Sequence, residues 1–156
     1  MKQPIIMGFD LGSKTLGIAV SDPLGLYAHP HSTLFFITNK QELVYEELKD
    51  IVEKIKPEKF VLGLPRLLNN DLGPRAQISL DFKELLETWF DCEVILLDER
   101  FSTLSSERNL IKLDVSRSKR KKVIDQAAAV EILQRYLDQR RYQNESRNNG
   151  RNANDY

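Results

Sequence analysis

Two apolar segments of this sequence end in acidic residues. Asp10 follows the apolar run 5–9. Asp98 and Glu99 follow a second run, 92–97. A strand that is apolar along its length is buried on both faces, so an ionised carboxylate at its end is costly unless a cation or hydrogen bonds satisfy it. Taken alone, Asp10 is explained equally well as a turn acid that bonds to nearby backbone.

The ends of these two strands are expected to meet. Parallel central strands end at the same edge of a sheet, where ligands bind in open α/β folds. Side chains alternate along a strand, so only one of Asp98 and Glu99 can face Asp10. The residues themselves leave that choice open, and the other acid would be structural, for instance paired with Arg100.

Asp125 is the third candidate acid. It lies in the first turn of a helix predicted over residues 123–141, in line with Ala129, Ile132 and Tyr136 on a core-facing stripe. A helix dipole also stabilises an acid at this position, by about 0.3–1 kcal/mol, without any further function. Considered together, the acids offer oxygen ligands from separate elements without a cluster of His or Cys. That donor set predicts Mg²⁺ or Mn²⁺ rather than zinc.

Basic side chains near these acids are candidates for contacts with phosphate. Lys14 follows Asp10 in the first predicted turn, and the basic run 117–122 is predicted as a loop between two helices. A charge run is usually a solvated surface, so the run alone decides little. Arg75 is a further possible phosphate contact. The predicted nucleic-acid contacts are Lys14, Arg66, Arg100, Lys119, Arg120, Lys121 and Lys122.

Hydrophobic periodicity and turn residues predict the elements that position these side chains. Asn39 and Glu42 are spaced as a capping box at the start of the first helix. The elements form an α/β fold with a mixed five-stranded sheet and helices on both faces. They are strands at 5–10, 16–20 and 32–38, a helix that Pro57 stops, a strand at 59–63, a helix from Pro74, a strand at 94–97, and helices at 102–113 and 123–141.

Composition places the chain among ordinary soluble domains. Its 156 residues are 41% hydrophobic and 29% charged, which fits a single domain. We expect residues 1–142 to form that domain and residues 143–156, rich in Asn and Arg, to be a disordered tail. We expect no membrane span, because no apolar run is long enough. The single cysteine, Cys92, cannot form an internal disulfide, which indicates a reducing cytoplasm.

Four motifs, in order from Phe9 to Ala129, resemble those of the YqgF family, also called the RuvX or Holliday-junction-resolvase-like family. The resemblance implies a ribonuclease-H-like fold and a metal-dependent nuclease that matures the 5′ end of the small-subunit ribosomal RNA precursor, leaving 5′-phosphate and 3′-hydroxyl ends. By motif, the catalytic and metal-binding acids would be Asp10, Glu99 and Asp125. The motifs are residues 9–14 with 17–20, then 61–65, 98–103 and 122–129.

The sequence departs from the family pattern in one stretch and leaves other functions open. Asn70 stands where the family has glycine. A Holliday junction resolvase acting on DNA would use the same acids, and it would need a dimer to cut two strands symmetrically. An actin-like ATPase opens with a similar turn from Asp10 to Gly17 but needs a second lobe. A non-catalytic nucleic-acid-binding domain would have the same sheet but would not catalyse the reaction. The three acids favour a nuclease. The resemblance implies RNA rather than DNA as its substrate, and we expect a monomer or homodimer.

Overall fold

The computed structural model describes residues 3–65, 72–99 and 117–154, with side chains of the last helix described for residues 126–144. Among these residues no helix is both long and apolar enough to cross a membrane. The strands are β1 (Ile6–Leu11), β2 (Thr15–Ser21), β3 (Ala28–Phe35), β4 (Lys59–Leu64) and β5 (Glu93–Asp98). The helices are α1 (Tyr45–Ile55), which follows a 3₁₀ turn (Gln41–Val44), α2 (Pro74–Trp89) and α3 (Arg117–Asn154).

The five strands form one mixed sheet in the order β3-β2-β1-β4-β5. The first three strands are antiparallel neighbours, because short turns connect them. β1 pairs in parallel with β4, and β4 with β5, since the connections between them are long enough to cross over the sheet. β1, β4 and β5 therefore end at one edge, which we call the carboxyl edge. The predicted mixed five-stranded sheet is confirmed.

Each face of the sheet is covered by helices. One face packs against α1 and α2 through a core that includes Phe9, Phe60 and Phe82, and the rings of Phe9 and Phe60 lie 5.2 Å apart. The other face packs against α3, where Ile6 and Leu133 belong to a second buried cluster. The predicted placement of helices on both faces is therefore confirmed.

α3 runs antiparallel to β1. A Cβ atom at Gly8 would lie 3.2 Å from the carbonyl oxygen of Ala129, so helix and strand approach closely there. Gly25 shows which part of α3 lies near the start of β1. A Cβ atom at Gly25 would lie 3.0 Å from Nη2 of Arg140 and 3.1 Å from the Cβ of Gln3. Residue 140 thus lies near residue 3, and residue 129 near residue 8. The N-terminal end of α3 consequently points toward the carboxyl edge.

The predicted capping box is wrong. Asn39 has a φ of 60° and caps no helix; the 3₁₀ turn is preceded by Lys40, which makes no side-chain capping bond. The backbone N–H of Asn39 instead donates to the carbonyl oxygen of Ser13, at 2.8 Å. Asn tolerates this left-handed backbone better than most residues, and here it closes the connection after β3, which ends at Phe35 rather than at residue 38.

The last helix is longer than predicted at both ends. It begins at Arg117 rather than at residue 123, so the basic run 117–122 is helical and not a loop. Lys and Arg are good helix formers, and a charge run carries no turn residue that would stop the helix. α3 also continues past the predicted end at residue 141, to Asn154. The domain boundary at residue 142 stays a prediction, and the predicted helix 102–113 lies outside the described residues.

Candidate active site

Asp10 faces α3 from near the end of the central strand. Met7, Phe9 and Leu11 of β1 belong to the core under α1 and α2, whereas Ile6 belongs to the core under α3. Side chains alternate along a strand, so Asp10 shares the face of Ile6. Its side chain is half-buried. The strand thus places a carboxyl group at the carboxyl edge, under the N-terminal part of α3.

Glu99 reaches the same place from β5. Ile95 and Leu97 contact the core under α3, and Glu99, two residues beyond Leu97, continues that face. The backbone N–H of Glu99 donates to the carbonyl oxygen of Leu64 at 3.1 Å, which extends the pairing of β5 with β4 by one residue. The carboxyl group of Glu99 is hydrogen-bonded to that of Asp10. The structure therefore brings these two predicted acids together.

Gly63 makes room for the Glu99 side chain. A Cβ atom at Gly63 would lie 2.7 Å from Cδ and 2.8 Å from Oε1 of Glu99. It would also lie 2.7 Å from Cδ1 of Ile132, on α3. Each distance is too short for a real Cβ atom, so the carboxyl group rests directly on the backbone of β4. Only glycine permits this position of Glu99 without a rearrangement.

The pairing of the two acids controls their protonation. Burial raises the pKa of Glu99 from 4.5 to about 8, and the charge of Asp10 and the hydrogen bond to it also raise this pKa. The guanidinium groups of Arg75 and Arg135 act in the opposite direction without cancelling the effect. Two carboxyl groups in one site cannot both ionise at little cost, so at neutral pH they share a proton. A divalent cation can replace that proton, and carboxylate oxygens are ligands that Mg²⁺ and Mn²⁺ accept.

The backbone of α3 brings position 125 toward this pair. Asp10 lies two residues beyond Gly8, roughly 6.6 Å along β1 at about 3.3 Å per residue. Position 125 lies four residues before Ala129, which contacts Gly8, or roughly 6 Å back along α3 at about 1.5 Å per residue. Because helix and strand are antiparallel, both displacements lead toward the carboxyl edge. Among side chains that the structure describes, the site contains two acids, and Asp125 is placed by its backbone alone.

The predicted basic contacts are only partly described. Lys14 is exposed in the turn between β1 and β2, four residues after Asp10. Arg66 and Arg100 lie outside the described residues. Residues 119–122 belong to the first turns of α3, with their backbone described. Of these residues, Lys14 is therefore the one whose side chain the structure describes, in the turn that follows β1 at the carboxyl edge.

Two arginines lie near Glu99: Arg75, one of the possible phosphate contacts, and Arg135, which was not predicted to belong to the site. Arg75 lies in the first turn of α2, and Arg135 lies on α3, where its Nη1 donates to the carbonyl oxygen of Asp98 at 3.2 Å. The sequence places Arg75 just after Gly73 and Pro74, at a predicted helix start. It does not show in which direction the Arg75 side chain points. No pattern in the sequence separates Arg135 from the other cations of its helix.

The chain is similar over most of its length to two proteins that are named "putative pre-16S rRNA nuclease". One, from Listeria monocytogenes serotype 4b (strain CLIP80459), is 50% identical over 133 residues, which cover 85% of this chain and 96% of that protein. The other, from Staphylococcus aureus (strain JH9), is 48% identical over 139 residues, covering 88% and 98%.

Two solved structures share the fold. Thermus thermophilus RuvC, in complex with a Holliday junction substrate, matches with a TM-score of 0.58 at 15% identity, over 88% of this chain and 96% of that one. Fowlpox virus resolvase, in complex with Holliday junction DNA, matches with a TM-score of 0.53 at 14% identity, over 86% and 97%. Such low identity shows the fold alone, and that fold is ribonuclease-H-like.

The fold, the acids at its carboxyl edge and the relatives define the class: the chain is a nuclease, a hydrolase of phosphodiester bonds, and it binds nucleic acid. The model of the RuvX family, described as Holliday junction resolvase, matches residues 4–139. The chain therefore belongs to the RuvX family.

Proposed function

We propose that this chain is a divalent-metal-dependent nuclease that matures the 5′ end of the small-subunit ribosomal RNA precursor. The observation that carries the proposal is the hydrogen-bonded pair of Asp10 and Glu99 at the carboxyl edge, where burial and the charge of Asp10 raise the pKa of Glu99. The substrate follows from the names of the relatives at 48–50% identity.

In this proposal Asp10, Glu99 and Asp125 hold the cation, Mg²⁺ or Mn²⁺. When bound, the cation supplies a lowered pKa for the attacking water and charge stabilisation for the leaving oxygen. Glu99 gives up the shared proton and becomes a carboxylate ligand. Asp10, on the central strand, fixes the position of the site relative to the sheet. Asp125 contributes from α3 and joins the helix layer to the site.

The remaining predicted residues bind the phosphate backbone of the substrate. Lys14 lies exposed in the turn that follows β1, and we assign it to a phosphate near the cut. We assign Arg66, Arg100 and residues 119–122 to further phosphates of the substrate. Each such contact releases counterions, so binding should weaken with salt. We place this activity in the cytoplasm, with the protein as a monomer or homodimer.

A cleavage assay on three substrates tests the proposal. Precursor RNA with its 5′ extension, an unrelated single-stranded RNA and a four-way DNA junction are each incubated with Mn²⁺, Mg²⁺ or EDTA. We expect metal-dependent removal of the extension and little cutting of the other two substrates. Asp10→Asn is the inactive control, and Glu93→Gln, at an exposed position of β5, is the matched acid-to-amide control. Cleavage that persists in EDTA, or in Asp10→Asn, contradicts the proposal.

Resolution of DNA junctions is the second candidate function. It is favoured by the description of the matching family and by the shared fold of two proteins solved with Holliday junctions. A resolvase must cut two strands symmetrically, so it must act as a dimer. Paired cuts in the junction, together with a dimer in sedimentation experiments, would select this function over the first.

A further inference from the structure

A pocket of about 210 Å³ opens at the turn that follows β1. We call it the turn pocket. It is smaller than the roughly 300–1,000 Å³ of sites that bury a whole drug-sized ligand. Its size therefore fits one component of a nucleotide, such as a base. Its walls are formed by Leu11, Gly12, Ser13, Asn39, Arg75 and Ile78.

The turn pocket is connected to the carboxyl pair by the backbone of β1 and by Arg75. Gly12 and Ser13 follow Asp10 by two and three residues on the same backbone. On the other side, Arg75 lies close enough to Glu99 for its charge to oppose the rise in the pKa of that acid. A nucleotide whose phosphate lies at the acids therefore has an adjoining base or sugar within reach of this pocket.

The chemistry of the walls suits a base. Leu11 and Ile78 are apolar and largely covered, whereas Arg75 and Asn39 are exposed. A guanidinium group is flat and stacks on unpaired bases, as aromatic rings do. The Asn39 amide carries both donors and acceptors, which can bond to the edge of a base. A bare phosphate would gain from the charge of Arg75 but nothing from the apolar walls.

The walls are fixed before any ligand arrives. The backbone N–H of Gly12 donates to the carbonyl oxygen of Thr15 at 2.8 Å, which closes the turn. The N–H groups of Asn39 and Phe36 donate to the carbonyl oxygens of Ser13 and Lys14 at 2.8 and 2.9 Å. These bonds tie the turn to the chain that follows β3. A preformed pocket loses less entropy on binding than one that must be ordered.

We propose that the turn pocket binds the base of an unpaired nucleotide next to the phosphodiester that is cut, with that base stacked on Arg75. The location relative to the cut rests on the proposed nuclease function. A base inside a duplex is already stacked on its neighbours and is not free to enter. The pocket therefore selects a single-stranded cut site, which fits an RNA precursor end and not a fully paired junction arm.

Abasic substrates test the stacking during cleavage. Single-stranded RNA is prepared with one base removed at each of the three positions on either side of the cut. We expect removal at one position to raise KM roughly tenfold, the effect of losing one stacked base. Arg75→Lys keeps the positive charge but not the flat group, and it should raise KM on intact RNA by a similar factor. Lys83→Ala, farther along α2, is the control that should leave KM unchanged.

The combination of the two changes decides the assignment. If Arg75 stacks on the missing base, Arg75→Lys has little further effect on the substrate that lacks it, because the two changes remove one interaction. If the factors multiply at every position, Arg75 stacks on none of these bases, and the proposal is wrong. An Arg75→Lys variant with the wild-type KM on intact RNA leads to the same conclusion.

A binding experiment separates this proposal from the nuclease function. Amide spectra of the ¹⁵N-labelled wild-type protein in EDTA are recorded with adenosine 5′-monophosphate, ribose 5-phosphate and inorganic phosphate. We expect the nucleotide to shift the resonances of Gly12, Ser13 and Asn39 more than either phosphate alone. Equal shifts with all three probes, or no shift with the nucleotide, overturn the proposal. If no substrate is cut but the nucleotide binds here, the proposed function fails while the pocket assignment stands.

Discussion

Replacing Glu99 with glutamine should make the metal-free protein more stable at high pH. The pKa of Glu99 is about 8 in the folded protein and 4.5 ordinarily. Between these values the folded state binds more protons than the unfolded state, so the free energy of unfolding falls as pH rises. The stability linked to this proton is complete below about pH 4.5 and is lost once the pH exceeds about 8. Glutamine cannot ionise, so the variant escapes this loss.

The size of the effect follows from the same two pKa values. Each pKa unit corresponds to about 1.4 kcal/mol, which sets an upper limit near 5 kcal/mol. Glu99 is not completely buried, and water at the open edge reduces the penalty. We therefore expect the free energy of unfolding of Glu99→Gln to exceed that of the wild type by about 2–4 kcal/mol at pH 9, and by much less at pH 5.

Urea denaturation in EDTA at pH 5, 7 and 9 measures this difference. Glu93→Gln is the matched control, since that acid lies exposed on the same strand and pairs with Lys59 only at 3.7 Å. A stability difference between Glu99→Gln and the wild type that is the same at all three pH values would refute the reasoning. Adding Mn²⁺ at pH 9 should make the wild type the more stable of the two proteins. A ligand that binds the folded state stabilises it, and Glu99→Gln lacks one of the carboxylates that would bind the ion.

Other variants address the acids, the glycine beneath them and the basic run. Asp10→Asn should lose cleavage while its melting temperature holds or rises, because it removes a charge from a crowded acidic site; wild-type turnover would contradict this. Asp98→Asn should keep metal-dependent cleavage; loss of both cleavage and Mn²⁺ binding in a folded Asp98→Asn, with Glu99→Gln still active, would reverse the assignment. Gly63→Ala should weaken Mn²⁺ binding in calorimetry, since its methyl group would overlap the paired carboxyl group. Lys119→Ala combined with Arg120→Ala should flatten the salt dependence of single-stranded RNA binding by about 0.7 per lost contact, and an unchanged slope would exclude these contacts.

Several parts of the fold follow from local sequence patterns. The apolar runs that end in Asp10 and Asp98 predict two strands, of which β1 is almost fully buried and β5 only partly, and Pro74 predicts the start of α2. Alternation along β5 limits the choice to one acid on the side of Asp10, and the family motif points to Glu99. Each of these features depends on neighbouring residues alone: on the alternation of side chains along a strand, or on one residue such as Pro74. A single sequence is therefore enough to predict them.

The features that depend on tertiary packing could not be predicted in this way. The capping-box spacing at Asn39 is a local pattern, but a hydrogen bond to Ser13, far along the chain, determines the backbone there. Gly63 looks like any glycine in a strand until Glu99 and Ile132 are placed over it. The direction of Arg135 depends on the angle at which α3 crosses the sheet.

The close packing of α3 on β1 at Gly8 has a consequence for the order of synthesis. The three proposed ligands lie at positions 10, 99 and 125, and the third belongs to a helix that extends to Asn154. A ribosome makes the chain from its N-terminus, and the exit tunnel still encloses the newest residues when Asp10 and Glu99 have emerged. The helix can dock on Gly8 only after its residues have left the tunnel, so the complete ligand set forms later than the pair of Asp10 and Glu99. Until then, a nascent copy would hold at most two of the three proposed ligands.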